Sequence, residues 1–379
     1  ESIVEVDYGA SFIEWSAEQA LRIKSDIFES PESGKKLFTI RNPIGVVAAI
    51  TPWNFPLAMV TRKVSSAVAA GCAVILKPSE LTPITALELG SLSLEAGFPP
   101  GVFNIVNGEP EMIGKVLSTN PVIKKITFTG STEVGKLLMK NSSSTVKNIS
   151  LELGGNAPFI VFSDADLDAA LNGFMMAKFR NAGQTCISAN RLFVHKSVSN
   201  IFTSKLLERL KKLKVGDGMK GSDIGPLISN EALKKVINHV SDAKKNGAKI
   251  LFGGNKHELG GLFFEPTLIS NVKKNMKVFQ KENFGPIIPL IEFDNDDEVI
   301  NMSNETNYGL AAYFYTKNST TIWKNLNNLD YGMFGINSGK ISTYLNPFGG
   351  LKESGIGREG SLQCLDPFLE TKFALWNYD

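Results

Sequence analysis

Short apolar segments rich in β-branched residues alternate with helical segments along most of the 379-residue sequence. Residues 44–50 and 73–76 are predicted strands, and a helix is predicted between them over residues 57–70. The alternation continues as far as a strand over residues 311–315. This spacing is typical of βαβ units, in which a parallel sheet carries helices on both faces. The sequence therefore predicts an α/β fold with ligand sites at the carboxyl ends of its strands.

The length and charge of the chain limit the classes of protein to consider. A chain of 379 residues is too long for one ordinary core and predicts two or three domains. The net charge of +2 gives no reason to expect nucleic acid or an anionic membrane as partner. Three widely spaced cysteines (Cys72, Cys186 and Cys364) suit neither a disulfide framework nor a metal site. We therefore expect no metal and a reducing compartment, namely the cytoplasm, with the mitochondrial matrix as the alternative.

Cys186 lies in the stretch NAGQTCISANR and is the candidate nucleophile. A cysteine attacks as its thiolate, so a nearby base is needed. The three histidines, His195, His239 and His257, lie in segments that do not point to that role. Glu152 in LELGG is the better candidate base. Without its neighbours in the sequence, Cys186 would more often be a buried core thiol than a nucleophile. A cysteine with a glutamate, beside a nucleotide-binding half, favours oxidation of an aldehyde through a thioester over papain-like hydrolysis.

The stretch FTGSTEVG, residues 128–135, is the candidate phosphate-binding turn. Gly130 lets the backbone approach a ligand, and Ser131 can cap the helix that follows, whose N-terminus presents free N–H groups. The stretch lacks the full G-x-G-x-x-G pattern, so an ordinary capped helix remains an alternative. Lys77 and Glu80, after the second strand, could bind a ribose or phosphate; the alternative is a surface lysine and a helix-initiating glutamate.

Seven motifs in one order resemble the aldehyde dehydrogenase superfamily over essentially the whole chain. They are TPWNFP (51–56), KPSE (77–80), FTGSTEVG (128–135), LELGGN (151–156), GQTC (183–186), KENFGP (281–286) and PFGGLKESGIGRE (347–359). Within this superfamily the sequence is most similar to the succinate-semialdehyde dehydrogenases. The match begins some way into the family's pattern, so we expect a cofactor domain that is incomplete at its N-terminus.

The resemblance implies a role for each motif. Cys186 attacks the aldehyde, the side chain of Asn54 and the backbone N–H of Cys186 form the oxyanion hole, and Glu152 activates the hydrolytic water. Glu282 holds the nicotinamide ribose, and Phe284 flanks the ring. The full set of residues implied to bind NAD or NADP is Trp53, Lys77, Ser79, Glu80, Gly130, Ser131, Gly135, Glu282 and Phe284. Glu80 should repel a 2′-phosphate, which favours NAD without deciding the matter.

The resemblance also implies a substrate with a distal carboxylate. Succinate-semialdehyde dehydrogenases hold that group with residues that match Arg62, Arg180 and Ser342. The alternative is that each arginine pairs with a nearby acid. The implied reaction is the oxidation of succinate semialdehyde to succinate in 4-aminobutyrate degradation; another aldehyde, such as glutarate semialdehyde, is the second possibility. Ser188 stands where some relatives have a second cysteine, so no redox disulfide is expected there.

The expected domains follow the same resemblance. Residues 1–24 and 44–153, with 352–365 returning to them, would form a Rossmann-type cofactor domain, and residues 154–351 the α/β catalytic domain. Residues 25–43 and 366–379 would form an oligomerisation arm of a homodimer or homotetramer. The stretch KLFTIR, residues 36–41, alternates in polarity like an exposed edge strand, and such strands seek partners.

Overall fold

The computed structural model describes all 379 residues, and the chain divides into two compact units. The first unit contains residues 1–152, 342–349 and 356–379, and the second contains residues 153–341 and 350–355. The first boundary lies one residue before the expected end of the cofactor domain. The chain returns to the first unit at residue 342, earlier than the expected residue 352.

The elements follow the predicted alternation. Up to the first boundary they are α1 (Ser2–Ala20), β1 (Ile27–Glu29), β2 (Lys35–Pro43), β3 (Val46–Ile50), α2 (Ala58–Ala69), β4 (Ala73–Lys77), α3 (Ile84–Glu95), β5 (Phe103–Ile105), α4 (Pro110–Thr119), β6 (Ile123–Thr129), α5 (Thr132–Ser142) and β7 (Asn148–Glu152). After it come β8 (Ala157–Val161), α6 (Leu167–Phe179), β9 (Ala189–His195), α7 (Lys196–Leu210), α8 (Asn230–Lys245), β10 (Lys249–Phe252), β11 (Thr267–Ser270), α9 (Lys277–Gln280), β12 (Ile287–Phe293), α10 (Asp296–Asn304), β13 (Tyr308–Gly309), β14 (Ala311–Tyr315), α11 (Ser319–Asn328), β15 (Met333–Ile336), β16 (Leu351–Lys352), β17 (Gly355–Ile356) and β18 (Leu369–Asn377).

The first unit contains a six-stranded sheet in the order β17-β7-β6-β3-β4-β5. Neighbouring strands from β7 to β5 pair in parallel, and their inward residues, such as Val47 and Val74, are fully buried. In register, Ile50 lies opposite Lys77, and Thr129 lies opposite Glu152. The carboxyl ends of β3, β4, β6 and β7 therefore lie along one edge of this sheet, as expected for a parallel arrangement.

The second unit contains a seven-stranded sheet in the order β10-β11-β12-β9-β8-β14-β15. Every neighbouring pair is parallel except β10 with β11, which is antiparallel. Its central strands β8 and β14 are buried at every position, which is typical of a parallel sheet covered on both faces. Phe193, Phe293 and Phe314 are fully buried in its core. The predicted α/β class with parallel sheets is confirmed in both units.

A separate antiparallel sheet, β1-β2-β18, belongs to the first unit. The prediction of an edge strand at residues 36–41 was wrong, because β2 is the middle strand of three. It pairs with β1 on one side and with β18 along its full length on the other. The sheet exposes large apolar side chains, among them Phe28, Phe373 and Trp376. No helix of the chain is both long enough and apolar enough to cross a lipid bilayer.

Candidate active site

The loop that carries Trp53 and Asn54 joins β3 to α2, and both of its ends are held by hydrogen bonds. Thr51 N–H donates to the carbonyl of Lys77 over 3.1 Å. At the other end, the Glu5 carboxylate accepts from the backbone N–H groups of residues 57 and 58, at 2.8 and 3.0 Å. No side chain at the start of α2 itself makes such a cap. Glu5, which sequence reasoning missed, therefore fixes the entry to the helix that carries Arg62.

A buried cluster of charges lies on α2. Arg62 Nη2 is 3.2 Å from Glu359 Oε2, and Lys63 also pairs with the Glu359 carboxylate. The guanidinium carbon of Arg62 lies 3.9 Å from the centre of the Phe348 ring. Phe348 and Glu359 exchange two backbone hydrogen bonds of 2.8 Å, which hold them side by side. Arg62, assigned to the substrate from sequence, thus has an internal acidic partner. Lys63 and Glu359 were not singled out, because 296 residues separate them in sequence.

Glu152, the candidate base, ends β7 and is only 3% exposed. Its Oε2 atom has no hydrogen-bond partner in the structure. Burial raises the pKa of Glu152 well above its usual value, and repulsion from Glu359 adds to this, while Arg62, Lys63 and Arg358 act in the opposite direction. The Glu359 carboxyl behaves differently: burial raises its pKa, but Lys63 and Arg62 outweigh burial and hold it below the usual value. The Glu359 carboxyl is therefore held ionised, whereas Glu152 takes up a proton more readily than an ordinary glutamate does.

The candidate phosphate-binding turn follows β6 as predicted. Ser131 caps α5, its hydroxyl accepting from Val134 N–H at 3.3 Å. Gly130 N–H donates to the Glu152 carbonyl over 3.1 Å, and a Cβ on Gly130 would lie 2.4 Å from the Phe128 ring. A side chain at this position would therefore have to displace the buried Phe128 ring. Gly135 lies buried one turn into α5. The capped N-terminus of α5 at the strand edge fits an anionic ligand such as a pyrophosphate.

Lys77 lies at the end of β4 and is almost fully buried, whereas Glu80 lies at the surface. Lys77 Nζ is 2.5 Å from Glu80 Oε2. Burial raises the pKa of Glu80, but the hydrogen bond and positive charge of Lys77 together with a backbone hydrogen bond outweigh it, so the pKa lies below its usual value. Ser79, between them, is buried, and its hydroxyl accepts from Leu81 N–H over 3.3 Å. These three assigned residues thus form one polar group at the end of β4.

In the second unit, Arg180 begins a turn that leads to Cys186. Asn181, Ala182 and Gly183 have φ values of 51°, 56° and 78°, so three consecutive residues are left-handed. A Cβ on Gly183 would lie 2.4 Å from the carbonyl oxygen of Gly285, so only glycine fits there. Such backbone persists where the surrounding structure holds it, and it is typical of functional loops. The turn leaves Cys186 partly exposed, unlike Cys72 and Cys364.

The two glycines of LELGGN bring Cys186 and Glu282 to one short segment of the second unit. A Cβ on Gly155 would lie 2.3 Å from the carbonyl oxygen of Cys186. Gly155 N–H donates to Glu282 Oε1 over 2.8 Å, and a Cβ on Gly154 would lie 3.1 Å from Glu282 Oε2. The absence of side chains at these positions therefore lets the cysteine and the glutamate approach the same backbone.

Tyr313 is a neighbour of the nucleophile that sequence reasoning missed. Its hydroxyl donates to the carbonyl of Ile187 over 2.8 Å. Burial, and next to it the negative charge of a Cys186 thiolate, raise the pKa of Tyr313, whereas the positive charge of Arg180 lowers it. Tyr313 and Arg180 therefore lie within electrostatic reach of each other and of Cys186. No sequence motif marks Tyr313, which lies inside an ordinary apolar strand.

The remaining assigned residues lie in both units. Phe284 has a φ of 51°, and Lys235 Nζ lies 6.0 Å from the centre of its ring. Ser342 is buried, and its hydroxyl pairs with that of Tyr8. Ser188, at the position of the second cysteine of some relatives, donates to the carbonyl of Lys178 over 3.3 Å.

Comparisons with known proteins identify the family of this chain. A family model described as the aldehyde dehydrogenase family matches residues 1–374. The chain is 52% identical over 375 residues to a probable succinate-semialdehyde dehydrogenase (NADP+) of Sinorhizobium fredii. The aligned region covers 98% of this chain and 76% of that protein. The chain is 50% identical over 370 residues to a glutarate-semialdehyde dehydrogenase of Pseudomonas aeruginosa, covering 97% of this chain and 77% of that one.

The crystal structure of a succinate-semialdehyde dehydrogenase from Burkholderia pseudomallei superposes with a TM-score of 0.97 at 49% identity, over 98% of this chain and 78% of the other. The relatives are therefore longer than this chain, but the match includes every motif described above. On the family match and these identities, the chain belongs to the aldehyde dehydrogenase family.

Proposed function

We propose that this chain catalyses the NAD(P)-dependent oxidation of succinate semialdehyde to succinate, with Cys186 as nucleophile and Glu152 as general base. The observation that carries the proposal is the segment from Glu152 to Gly155. It begins with a buried carboxyl of raised pKa and ends with a glycine against which the Cys186 carbonyl packs. The proposed base therefore lies three residues before the glycine on which the Cys186 carbonyl packs.

The chemistry follows from these groups. The Cys186 thiolate forms a bond to the aldehyde carbon, and the former carbonyl oxygen takes the negative charge. The Asn54 amide and the Cys186 N–H donate to that oxygen. A bound nicotinamide would supply the hydride acceptor, and loss of the hydride from this carbon leaves a thioester on Cys186. Glu152 then takes a proton from water, whose oxygen attacks the thioester, so that succinate leaves and the cysteine is regenerated.

The residues assigned to the cofactor carry groups that suit its parts. The N-terminus of α5 and the Lys77 ammonium would donate to a pyrophosphate, and the Glu80 carboxylate would accept from a ribose hydroxyl. Glu282, held by Gly155, would accept from the nicotinamide ribose hydroxyls. The relative of Sinorhizobium fredii carries NADP in its name. The ionised Glu80 opposes a 2′-phosphate and favours NAD, whereas the name of that relative favours NADP, so the proposal includes both cofactors.

The substrate carboxylate is assigned to Arg62, Arg180 and Ser342. Arg62 already pairs with Glu359 and lies on Phe348, so it would share its charge between an internal and a bound carboxylate. Arg180 lies within electrostatic reach of Tyr313 and therefore close to the nucleophile's loop. Arg180 is for this reason the cleaner position to test, because replacing Arg62 also disturbs Glu359.

Glutarate semialdehyde is the second candidate substrate, favoured by the 50% identity to a glutarate-semialdehyde dehydrogenase. It differs from succinate semialdehyde by one methylene, which a binding site distinguishes by about 1–3 kcal/mol. We also propose that the β1-β2-β18 sheet, with its exposed Phe373 and Trp376, serves assembly into a homodimer or homotetramer.

The test compares catalytic efficiency for succinate semialdehyde, glutarate semialdehyde and butanal, each with NAD and with NADP. Arg180→Ala should lower kcat/KM for the two acid aldehydes by about tenfold or more and leave butanal nearly unchanged, since hydrogen bonds to charged groups contribute about 1.5–3 kcal/mol. Arg209→Ala, which changes an exposed arginine, is the matched control. Equal loss on butanal and succinate semialdehyde would show that Arg180 is structural.

The half-reactions give a second test. Cys186→Ala should abolish both reduced-cofactor formation and the acyl-enzyme. Glu152→Gln should give a burst of reduced cofactor and then stop, because the thioester forms but its hydrolysis lacks a base. Loss of the burst together with the steady state would instead assign Glu152 to activation of the thiol.

A further inference from the structure

Three buried asparagines of the second unit, Asn156, Asn190 and Asn283, are joined by hydrogen bonds. All three are at most 2% exposed. Asn190 Nδ2 donates to Asn156 Oδ1 over 2.5 Å, and Asn283 N–H donates to Asn190 Oδ1 over 2.9 Å. His239 continues the chain of contacts, its Nδ1 lying 2.8 Å from Asn283 Oδ1. Because that oxygen is an acceptor, His239 must be the donor.

Asn190 contacts the peptide groups on both sides of Glu282. Its Nδ2 donates to the carbonyl of Lys281 over 3.1 Å, and its Oδ1 accepts from the N–H of Asn283 over 2.9 Å. A single amide side chain therefore fixes the backbone immediately before and immediately after Glu282. Any rotation of Glu282's backbone would leave a buried donor or acceptor without a partner, which is costly.

The other two asparagines hold the residues that precede Glu282. Asn156 Nδ2 donates to the carbonyl of Phe279 over 3.0 Å, and Asn283 Nδ2 donates to that of Val278 over 3.2 Å. Asn156 also follows Gly155, whose N–H binds Glu282 Oε1 at 2.8 Å. The network thus fixes both the backbone of Glu282 and the backbone group that its carboxylate accepts from.

We propose that Asn190 is a positioning residue for Glu282, supported by His239 through Asn283. The inference rests on the proposed function, in which Glu282 binds the nicotinamide ribose. Asn190 touches neither the substrate nor the nucleophile in this role; it sets where the Glu282 carboxylate lies. Its loss should therefore impair the cofactor-dependent step and spare reactions that need only Cys186.

The experiment measures two activities of the full 379-residue chain. The first is oxidation of succinate semialdehyde at varied cofactor concentration. The second is hydrolysis of p-nitrophenyl acetate, which needs Cys186 but no cofactor. Asn190→Ala should lower kcat/KM for the cofactor by about tenfold and change ester hydrolysis by less than about twofold. Asn325→Ala, which removes an equally buried amide from α11, should change neither kcat/KM for the cofactor nor the rate of ester hydrolysis.

A double-mutant cycle with Glu282→Gln tests whether Asn190 acts through Glu282. Glu282→Gln should lower cofactor efficiency, and adding Asn190→Ala should then change it little. Additive losses, or an Asn190→Ala variant that behaves like Asn325→Ala, would overturn the positioning role while the proposed function stands. An unaffected Glu282→Gln variant would overturn both the positioning role of Asn190 and the proposed assignment of Glu282 to the nicotinamide ribose, because Glu282 would then have no part in cofactor binding.

His239 provides variants for the case in which Asn190→Ala does not fold. His239→Ala removes the donor to Asn283 Oδ1, and His239→Gln restores one. Cofactor efficiency should fall in His239→Ala and recover in His239→Gln, with ester hydrolysis constant in both. Equal cofactor efficiency in the two variants would contradict the proposal.

Discussion

Lys178, at the end of α6, is a buried amine with an energetic cost that can be measured. Its side chain is fully buried, and Nζ has no hydrogen-bond partner in the structure. Burial lowers the pKa of Lys178 from 10.5 to about 7. A difference of this size corresponds to about 5 kcal/mol at 1.36 kcal/mol per pKa unit. We predict that Lys178→Met, which keeps an unbranched apolar stem, raises the free energy of unfolding by up to about 5 kcal/mol at pH 7.

The pH dependence of this gain has a definite sign. Between pH 7 and 10.5 the unfolded chain carries a proton on Lys178 that the folded chain lacks. The stability of the unsubstituted protein therefore rises with pH in this range, by up to about 1.4 kcal/mol per pH unit from this group. The advantage of Lys178→Met should accordingly shrink as the pH is raised and nearly vanish by pH 10.5.

Urea denaturation at several pH values between 7 and 10 measures the gain in stability and its dependence on pH. The fluorescence of Trp323 is the probe, because Trp323 is the one tryptophan of the second unit. Lys211→Met, at an exposed lysine, is the control and should show no such trend. A stability difference that stays constant across this range would refute the reasoning, since it would mean that Lys178 is charged, or equally solvated, in both states.

Two further predictions concern the catalytic groups. Glu359→Gln removes the negative charge that helps raise the pKa of Glu152, so the acid limb of deacylation should move to lower pH. The same change leaves Lys63 buried without its carboxylate and should cost about 3–5 kcal/mol of stability in urea denaturation. An acid limb that does not move would show that the charge of Glu359 does not influence the pKa of Glu152. Gly155→Ala places a Cβ 2.3 Å from the Cys186 carbonyl and should lower acylation by about a hundredfold in single-turnover assays, whereas near-normal acylation would show that the loop yields freely.

The residues at strand ends could be predicted from sequence because buried parallel strands are short continuous apolar segments. Asn54, Lys77, Gly130 and Glu152 each lie at or just after such a segment, and the structure places them at one edge of the first sheet. The glycines of LELGGN were also visible as a motif. The close approach of Gly155 to Cys186 could not be predicted, because a contact between residues distant in sequence has no signature in the local sequence.

The features that were missed depend on pairing between distant segments. The Lys63–Glu359 ion pair and the hydrogen bond from Tyr313 to Ile187 join residues that no periodicity relates. The central position of β2 was missed for the same reason, since alternation in polarity describes one strand and says nothing of its neighbours. The N-terminal helix α1 has only a weak separation of apolar and polar faces, which left it without a helical signal.

The pairing of β2 with β18 has a consequence for how the chain folds during its translation. β2 occupies Lys35–Pro43 and β18 occupies Leu369–Asn377, so almost the entire remainder of the chain is translated between them. At about 5–20 residues per second, β2 would wait roughly 20–70 s for its full-length neighbour. During that time the three-residue strand β1 is the only partner β2 has in this sheet. Its half-buried apolar residues, Leu37 and Phe38 among them, are then a natural binding site for a nascent-chain chaperone.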